Sequence, residues 1–352
     1  MSQLETTPPD PRSAGFGDPL PPPAPLDPPP PGSGPSSLLD TDQTQVVRRL
    51  VDQVGGVIVG DPTPIRLAVA AFLASGHVLL EDIPGVGKTV LAKALARSLG
   101  GTFGRVQGTA DLLPSDLTGV SVYDDETKQW TFRPGPVFHS VVLVDELNRA
   151  TPRTQSSLLE AMAERQVTVD GTTHPLPDPF FVIATQNPQG DLGTFPLVAG
   201  QRDRFSVSLS LGLPGRAAEM ALLGGTGGEP ALHQLQPIGT PETWLALRRR
   251  VDDVYVHELV AGYALDLMDA IRARAGQAQP LSTRASLMLL RVARAYAMVD
   301  GRDHVAPDDI QVVAPAALAH RILDSTNGDL PTARRWIYDF IAQVQVPPTP
   351  GR

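Results

Sequence analysis

His77-Val78-Leu79-Leu80-Glu81-Asp82-Ile83-Pro84-Gly85-Val86-Gly87-Lys88-Thr89 is a short apolar run that breaks into a glycine loop and ends on a lysine and a threonine. Its first five residues, apolar and flanked by turn formers, predict a buried strand. From Val90 to Leu99 apolar residues recur at helical spacing until Gly100-Gly101 stops them. This nearly matches the phosphate-binding pattern G-x-x-x-x-G-K-[ST]. Gly85 and Gly87 let backbone N–H groups curl around a polyphosphate, and the helix start aims its positive end at the same anion. Lys88 is placed to reach β- and γ-phosphates, and Thr89 to offer its hydroxyl to Mg2+. Asp82 stands where the first glycine belongs, which is unfavourable beside a phosphate unless its side chain turns away. A glycine turn with a surface lysine would look similar. Lysine is scarce, however: only Lys88, Lys93 and Lys128 occur. One kept here suits a compact ammonium on phosphate.

Further along, Ser140 to Val144 is a β-branched run ending in Asp145-Glu146. Two carboxylates at the end of a buried strand are costly without a cation. In a phosphate-loop protein Mg2+ meets that need, with Asp145 holding the metal and Glu146 polarising the attacking water. The same pair in isolation also reads as the cap of a following helix. Pro179 to Ala184 predicts another buried strand, ending at Thr185-Gln186-Asn187-Pro188. Ligands of open parallel sheets bind at that edge, which makes Asn187 a candidate for the γ-phosphate or the water. Gln201-Arg202-Asp203-Arg204-Phe205 leads into a last strand at Val207 and Leu209. Strands alternating with helices in this way give an α/β fold, a parallel sheet with helices on both faces.

Outside this core the chain changes character. Pro8 to Pro35 is rich in Pro, Gly, Ser and Asp, so residues 1–40 are expected as a disordered, proline-rich tail. Structure is expected from Thr41, with a helical stripe ending at Gly55-Gly56 and a helix from about Thr63 to Ser75. Two hairpins are expected, one across Val120, Val122, Trp130 and Phe132, the other around Asp170-Gly171. The domains read as a nucleotide-binding core over 41–213, a linker over 214–240 and an all-helical domain over 241–352. Helices are expected there near Glu242 to Val254, Glu258 to Ala275, Thr283 to Val299 and Pro307 to Leu323. Leu287 and Leu290 form an apolar stripe, Arg291 and Arg294 a basic one. Arg284 falls in the first turn of its helix, where a cation opposes the helix dipole unless an anion compensates it.

Composition excludes several classes. The chain has no cysteine, so disulfide scaffolds, thiolate metal sites and cysteine nucleophiles are ruled out. Neither a signal peptide nor an apolar run of membrane-spanning length is visible, so no membrane insertion and a cytoplasmic location are expected. Net charge is −9, and −5 of it falls in the first 42 residues. The mildly acidic remainder speaks against a chain that works mainly on nucleic acid, where a basic face is expected.

With these residues assembled, the chain resembles the MoxR family of AAA+ ATPases from about Thr41 to Phe340. The resemblance is carried by Leu80 to Thr89, Arg133-Pro134-Gly135-Pro136-Val137-Phe138, Val144 to Ala150, Leu158-Leu159-Glu160-Ala161-Met162 and Ala184 to Pro188. Arg284-Ala285-Ser286-Leu287, Gly301-Arg302-Asp303 and Ala319-His320-Arg321 add to it in the helical domain, which corresponds to the family's lid. The resemblance implies Mg2+-dependent ATP hydrolysis. ATP is held by Val59, Gly60, Pro84, Gly85, Val86, Gly87, Lys88, Thr89 and Val90, and Mg2+ by Thr89 and Asp145. It makes Glu146 the water-polarising residue and Asn187 sensor 1. Arg204 becomes the finger offered to the next subunit, with Arg202 as its rival. Arg284 becomes sensor 2, reaching the nucleotide from its own lid. It further implies a homo-oligomeric ring, a hexamer, that remodels, matures or inserts a cofactor into a client carrying a von Willebrand factor A domain. A motor on DNA and a nucleotide-gated scaffold are the alternatives.

Overall fold

The computed structural model describes residues 41–186, 193–275 and 281–348, and the tail expected over 1–40 lies outside them. The chain enters through α1 (Thr41–Val57), which buries Val47, Leu50, Val54 and Val57. This helix does not stop at Gly55-Gly56. Two glycines cost about 2 kcal/mol in a helix, and burying Val57 against the core, at about 1.5–3 kcal/mol, offsets that. Next come α2 (Thr63–Leu73), β1 (Val78–Glu81), α3 (Lys88–Leu99) and β2 (Phe103–Gln107). A short α4 (Pro114–Thr118) leads into the first hairpin, β3 (Gly119–Asp124) and β4 (Gln129–Pro134). Beyond it lie β5 (Val141–Asp145), α5 (Pro152–Glu164), the second hairpin of β6 (Gln166–Val169) and β7 (Thr172–Pro175), and β8 (Phe181–Gln186). A single turn, α6 (Ala199–Arg202), precedes β9 (Val207–Leu209).

Five strands form one parallel sheet in the order β2-β5-β8-β1-β9. Every residue of β5 and β8 is buried, as strands covered on both faces require. Alternate residues serve opposite faces: Val78, Leu80, Leu143 and Ile183 pack with α1, α2 and α3, whereas Leu79, Val142, Val144 and Val182 pack with α5. In register, Gln107 lies opposite Asp145, and Glu81 opposite Gln186. The polar strand ends therefore share one edge.

The stretch 214–240 is not a bare connection, as it was expected to be. It carries α7 (Arg216–Leu223) and α8 (Gly228–Leu232). The second folds back on the core, burying Leu232 and pairing Glu229 with Lys93 at 2.9 Å. The helical region then comprises α9 (Pro241–Arg250), α10 (Glu258–Ala275), α11 (Thr283–Val299), α12 (Pro307–Leu318) and α13 (Leu330–Gln343). Sequence reading missed α13, although Asp329 caps it and Leu330, Ala333, Ile337 and Phe340 give its buried stripe. The apolar stripe read in α11 was also misplaced. Leu287 is 66% exposed, and the buried face runs through Ala285, Leu289, Val292, Ala293 and Tyr296. One apolar cluster extends without a break from the sheet through Phe72 and Trp244 to Ile337.

His77, just before β1, shows how tightly the core is closed. Its Nδ1 accepts the Val182 N–H at 3.0 Å, and its Nε2 faces the Met162 carbonyl at 3.4 Å. Burial pushes its pKa down to about 3; the Met162 contact opposes this, and the Arg248 and Arg165 charges add to it. The unfolded chain takes up this proton near pH 6.5, whereas the fold refuses it. The stabilisation is thus complete above about pH 6.5 and lost as pH falls towards about 3. Urea unfolding at pH 7 and pH 4.5 is expected to show His77→Asn losing about 2–3 kcal/mol less than the parent chain between the two. Equal losses would contradict the buried neutral imidazole.

Candidate nucleotide-binding site

Between β1 and α3 the chain forms the loop on which the sequence reading rests. Gly85 and Gly87 hold φ of 88° and 99°, backbone that L side chains rarely adopt. Gly87 occupies the cap position of α3, and no side chain caps that helix. The first N–H groups of Lys88, Thr89 and Val90 are the orphan donors that every helix start presents.

Asp82, the residue that broke the pattern, turns its carboxylate away from the loop. It accepts the Ser210 hydroxyl at 2.7 Å and the N–H groups of Leu211 and Gly212 at 2.5 and 3.3 Å. The acid is thereby spent on tying β1 to the segment after β9. Lys88 donates to the Asp82 carbonyl at 2.7 Å. Burial pushes the Lys88 pKa down, while the Asp82, Asp145 and Glu146 carboxylates oppose that shift.

Beside this loop lies a cavity of about 360 Å3, bounded by Val59, Gly60, Val86, Val90, Leu211 and Gly212. Pro84 sits in the loop itself. Asp61, which follows the Val59-Gly60 turn, accepts the Thr63 N–H at 2.9 Å and so starts α2.

Asp145 and Glu146 stand at the end of β5. The Asp145 side chain is 10% exposed; its Oδ2 receives Arg105, and its Oδ1 faces the Thr185 hydroxyl at 3.4 Å. Glu146 adopts left-handed backbone, φ 54° and ψ 48°, a strained state for a residue with a side chain. Its N–H donates to Thr185 Oγ1 at 2.9 Å, and its carboxylate receives Gln107 Nε2 at 3.1 Å and Arg149 Nε at 3.2 Å. A Cβ on Gly108 would fall 2.3 Å from the Glu146 carbonyl, so only glycine allows this approach. Neither Arg105 nor Gln107 was found from sequence. The available signal was two polar side chains, spaced to share a face, on a strand pairing with the one that bears the acids. Asn187 lies outside the described residues; Gln186, just before it, bonds through its side chain to the half-buried Glu81.

The arginines separate clearly. Arg202 is 5% exposed and donates to the carbonyls of His320 and Leu197 at 2.9 and 2.5 Å and to Asp324 at 2.7 Å. It locks core to lid and is not available as a finger. Arg321 does the same from the other side, reaching Asp203 at 2.7 Å and the Phe205 carbonyl at 2.9 Å. Arg204, between these latches, is half-buried and donates to the Leu159 carbonyl at 3.0 Å.

Arg284 departs from expectation. α11 runs antiparallel to α2: Arg66, near the start of α2, pairs with Asp300 at the end of α11, and Arg291 reaches the Ala74 carbonyl at 2.9 Å. Arg284 lies two turns beyond Arg291, past the end of α2, where β1 and β9 begin. Its charge falls beside Arg321, whose pKa is lowered chiefly by burial, with Asp203 opposing and Arg284 adding. Lys88 follows the opposite end of β1. The exposed Arg284 therefore lies towards the start of β1 and β9, near Arg321 and Asp203, rather than towards the end of β1 that carries the glycine loop.

The donors suit Mg2+. A carboxylate and a threonine hydroxyl are hard oxygen ligands. Among the described residues, no cluster of three His, Cys, Asp or Glu side chains forms an all-protein cage. That set fits a cation held largely by phosphates and water. Among those residues, too, no helix is long and apolar enough to cross a membrane.

Comparison with known proteins agrees with this geometry. Residues 77–207 match the ATPase family associated with various cellular activities (AAA), and residues 265–335 match the AAA lid domain. The uncharacterised protein YeaC of Bacillus subtilis is 44% identical over 80% of this chain and 88% of its own length. Chaperone MoxR1 of Mycobacterium tuberculosis is 36% identical over 80% of this chain and 76% of its own. A crystal structure from Cytophaga hutchinsonii, assigned as an ATPase, superposes with a TM-score of 0.76 at 35% identity, covering 86% of this chain and 95% of that one. A glycine cradle, paired acids at a parallel-sheet edge, a helical lid latched to the core and relatives of this closeness place the chain in the MoxR family of AAA+ ATPases.

Proposed function

We propose that this chain hydrolyses ATP at sites completed between neighbouring copies in a ring, a hexamer, and uses the cycle to remodel a client protein. The observation that carries this reading is the placement of Arg204 and Arg284. Arg204 precedes β9, at the end of the strand opposite to the one beside the glycine loop, Arg284 acts on Arg321 nearby, and Arg202, the rival finger, is buried in the lid latch. Guanidiniums on that side are better placed for a neighbour's phosphate than for their own. An interface joining two different edges of the same protomer is heterologous, the kind that builds a ring when its rotation closes.

Within a site, the N–H groups of the Gly85–Gly87 loop and the Lys88 ammonium hold the phosphates, with Val59, Gly60, Pro84, Val86 and Val90 around the rest of the nucleotide. Mg2+, held by Thr89 and Asp145, would supply charge neutralisation across the phosphates. Glu146 orients water, with Gln107 and Arg149 fixing its carboxylate, and Asn187 is assigned to the same water or the γ-phosphate. Arg204 and Arg284 of the neighbouring copy meet the charge that develops on the transferred group.

A chaperone-like role follows from similarity to MoxR1, and a client with a von Willebrand factor A domain from family resemblance. A cytoplasmic setting suits such a client, and the acidic balance speaks against nucleic acid as the substrate. The test is phosphate release with Mg2+-ATP across a dilution series. Specific activity is expected to rise with protein concentration as copies assemble. Turnover that is absent, or equal in the isolated monomer, would overturn the shared site.

A further inference from the structure

β2 presents two polar side chains to the acids that end β5. Gln107 meets Glu146, and Arg105 meets Asp145. Arg105 donates from Nε at 2.8 Å and from Nη2 at 2.7 Å, both to the same oxygen, Oδ2. Asp145 is nearly enclosed, whereas the Arg105 side chain is 51% exposed. Lys88 acts on Asp145 through space while hydrogen-bonded to the Asp82 carbonyl, and Arg149 bonds to Glu146. Arg105 is the cation in direct contact with the Asp145 carboxylate and so meets most of the charge that an enclosed carboxylate requires. It is not needed to join the strands, because β2 and β5 are already paired over five residues, from Phe103 with Val141 to Gln107 with Asp145.

This arrangement has a consequence for metal binding. A forked guanidinium on Oδ2 occupies lone pairs that a divalent cation or its water shell would use, and two like charges at this range repel each other. We infer that Arg105 is the counter-ion of Asp145, competes with Mg2+ for that carboxylate and gives it up when the metal arrives with the nucleotide. It is a positioning residue that sets the Mg2+ threshold of the site. Its half-exposed side chain can swing into solvent without crossing the core. The inference rests on the reading of Asp145 as a metal ligand.

The test uses the full chain and reads binding rather than turnover. A fluorescent ADP analogue is titrated with Mg2+, and Mn2+ binding in the presence of ADP is followed by electron paramagnetic resonance. Arg105→Gln, which keeps a donor and removes the charge, is expected to lower the Mg2+ midpoint about tenfold, with Mn2+ bound correspondingly more tightly. Arg105→Lys is expected to fall between Gln and the parent, and it carries the test alone if the Gln variant melts without cooperativity. Damage to a structural strut would weaken metal binding, so a midpoint unchanged or raised in the folded variants overturns the inference. Asp145→Asn separates the two readings. If it leaves the Mg2+ midpoint where it was, Asp145 is not the ligand. If it raises the midpoint while the Arg105 variants do nothing, only the counter-ion role fails.

Discussion

Arg204→Ala is expected to lower ATP turnover by about 10³-fold or more while leaving nucleotide affinity almost unchanged, because an arginine supplied in trans acts on transition-state charge. The structure favours this residue because its neighbours in sequence are committed. Asp203 and Phe205, on either side of it, are both held by Arg321, and Arg202 by His320 and Asp324, so Arg204 is fixed at its base. Removing it should therefore leave the fold intact. The decisive measurement pairs steady-state phosphate release with equilibrium binding of a fluorescent nucleotide. A fall in affinity parallel to the fall in rate would mean that Arg204 contributes to ground-state binding or to folding. Retention of full activity would exclude it as the finger.

Glu146→Gln should produce the second large effect. Loss of the carboxylate that polarises water is expected to slow hydrolysis by about 10²–10⁴-fold, with bound ATP retained unhydrolysed. The glutamine is nearly isosteric and can still bond to Gln107, so the strained backbone at this position should persist. The protein after gel filtration would carry ATP rather than ADP, which chromatography of the extracted nucleotide reads directly. Rapid turnover by this variant would place the water elsewhere. The two variants also test each other. Where the pocket of an Arg204→Ala subunit is served by the arginine of a Glu146→Gln subunit, every group is present, and mixing the two inactive proteins should restore turnover. Failure at every mixing ratio would contradict a shared site.

What was legible in the sequence was what local chemistry encodes. Gly85, Gly87, Lys88 and the Asp145-Glu146 pair announce themselves because phosphate and metal sites need those residue types within a few positions of each other. Both hairpins were legible from alternation and turn residues. Elements decided by distant packing were less so. α13 carries ordinary helix signals, but the last of its buried residues gain meaning only against the rest of the apolar cluster. α8 was hidden in a glycine-rich stretch whose one buried leucine docks on the core. The surroundings of Arg284 were hidden for the same reason: the first turn of a helix can be read locally, but the antiparallel packing of α11 on α2 cannot. Asp82 shows the opposite case, in which an apparent fault in the pattern proves to be a clasp on the chain after β9.

The lid latch bears on how any mechanical stroke must be transmitted. Swinging the lid off the core would expose the continuous apolar cluster and break the hydrogen bonds by which two enclosed guanidiniums, Arg202 and Arg321, join core to lid. In the proposed ring each protomer would therefore move as a solid wedge, and displacement would accumulate at the seams between wedges, where Arg204 and Arg284 are proposed to act.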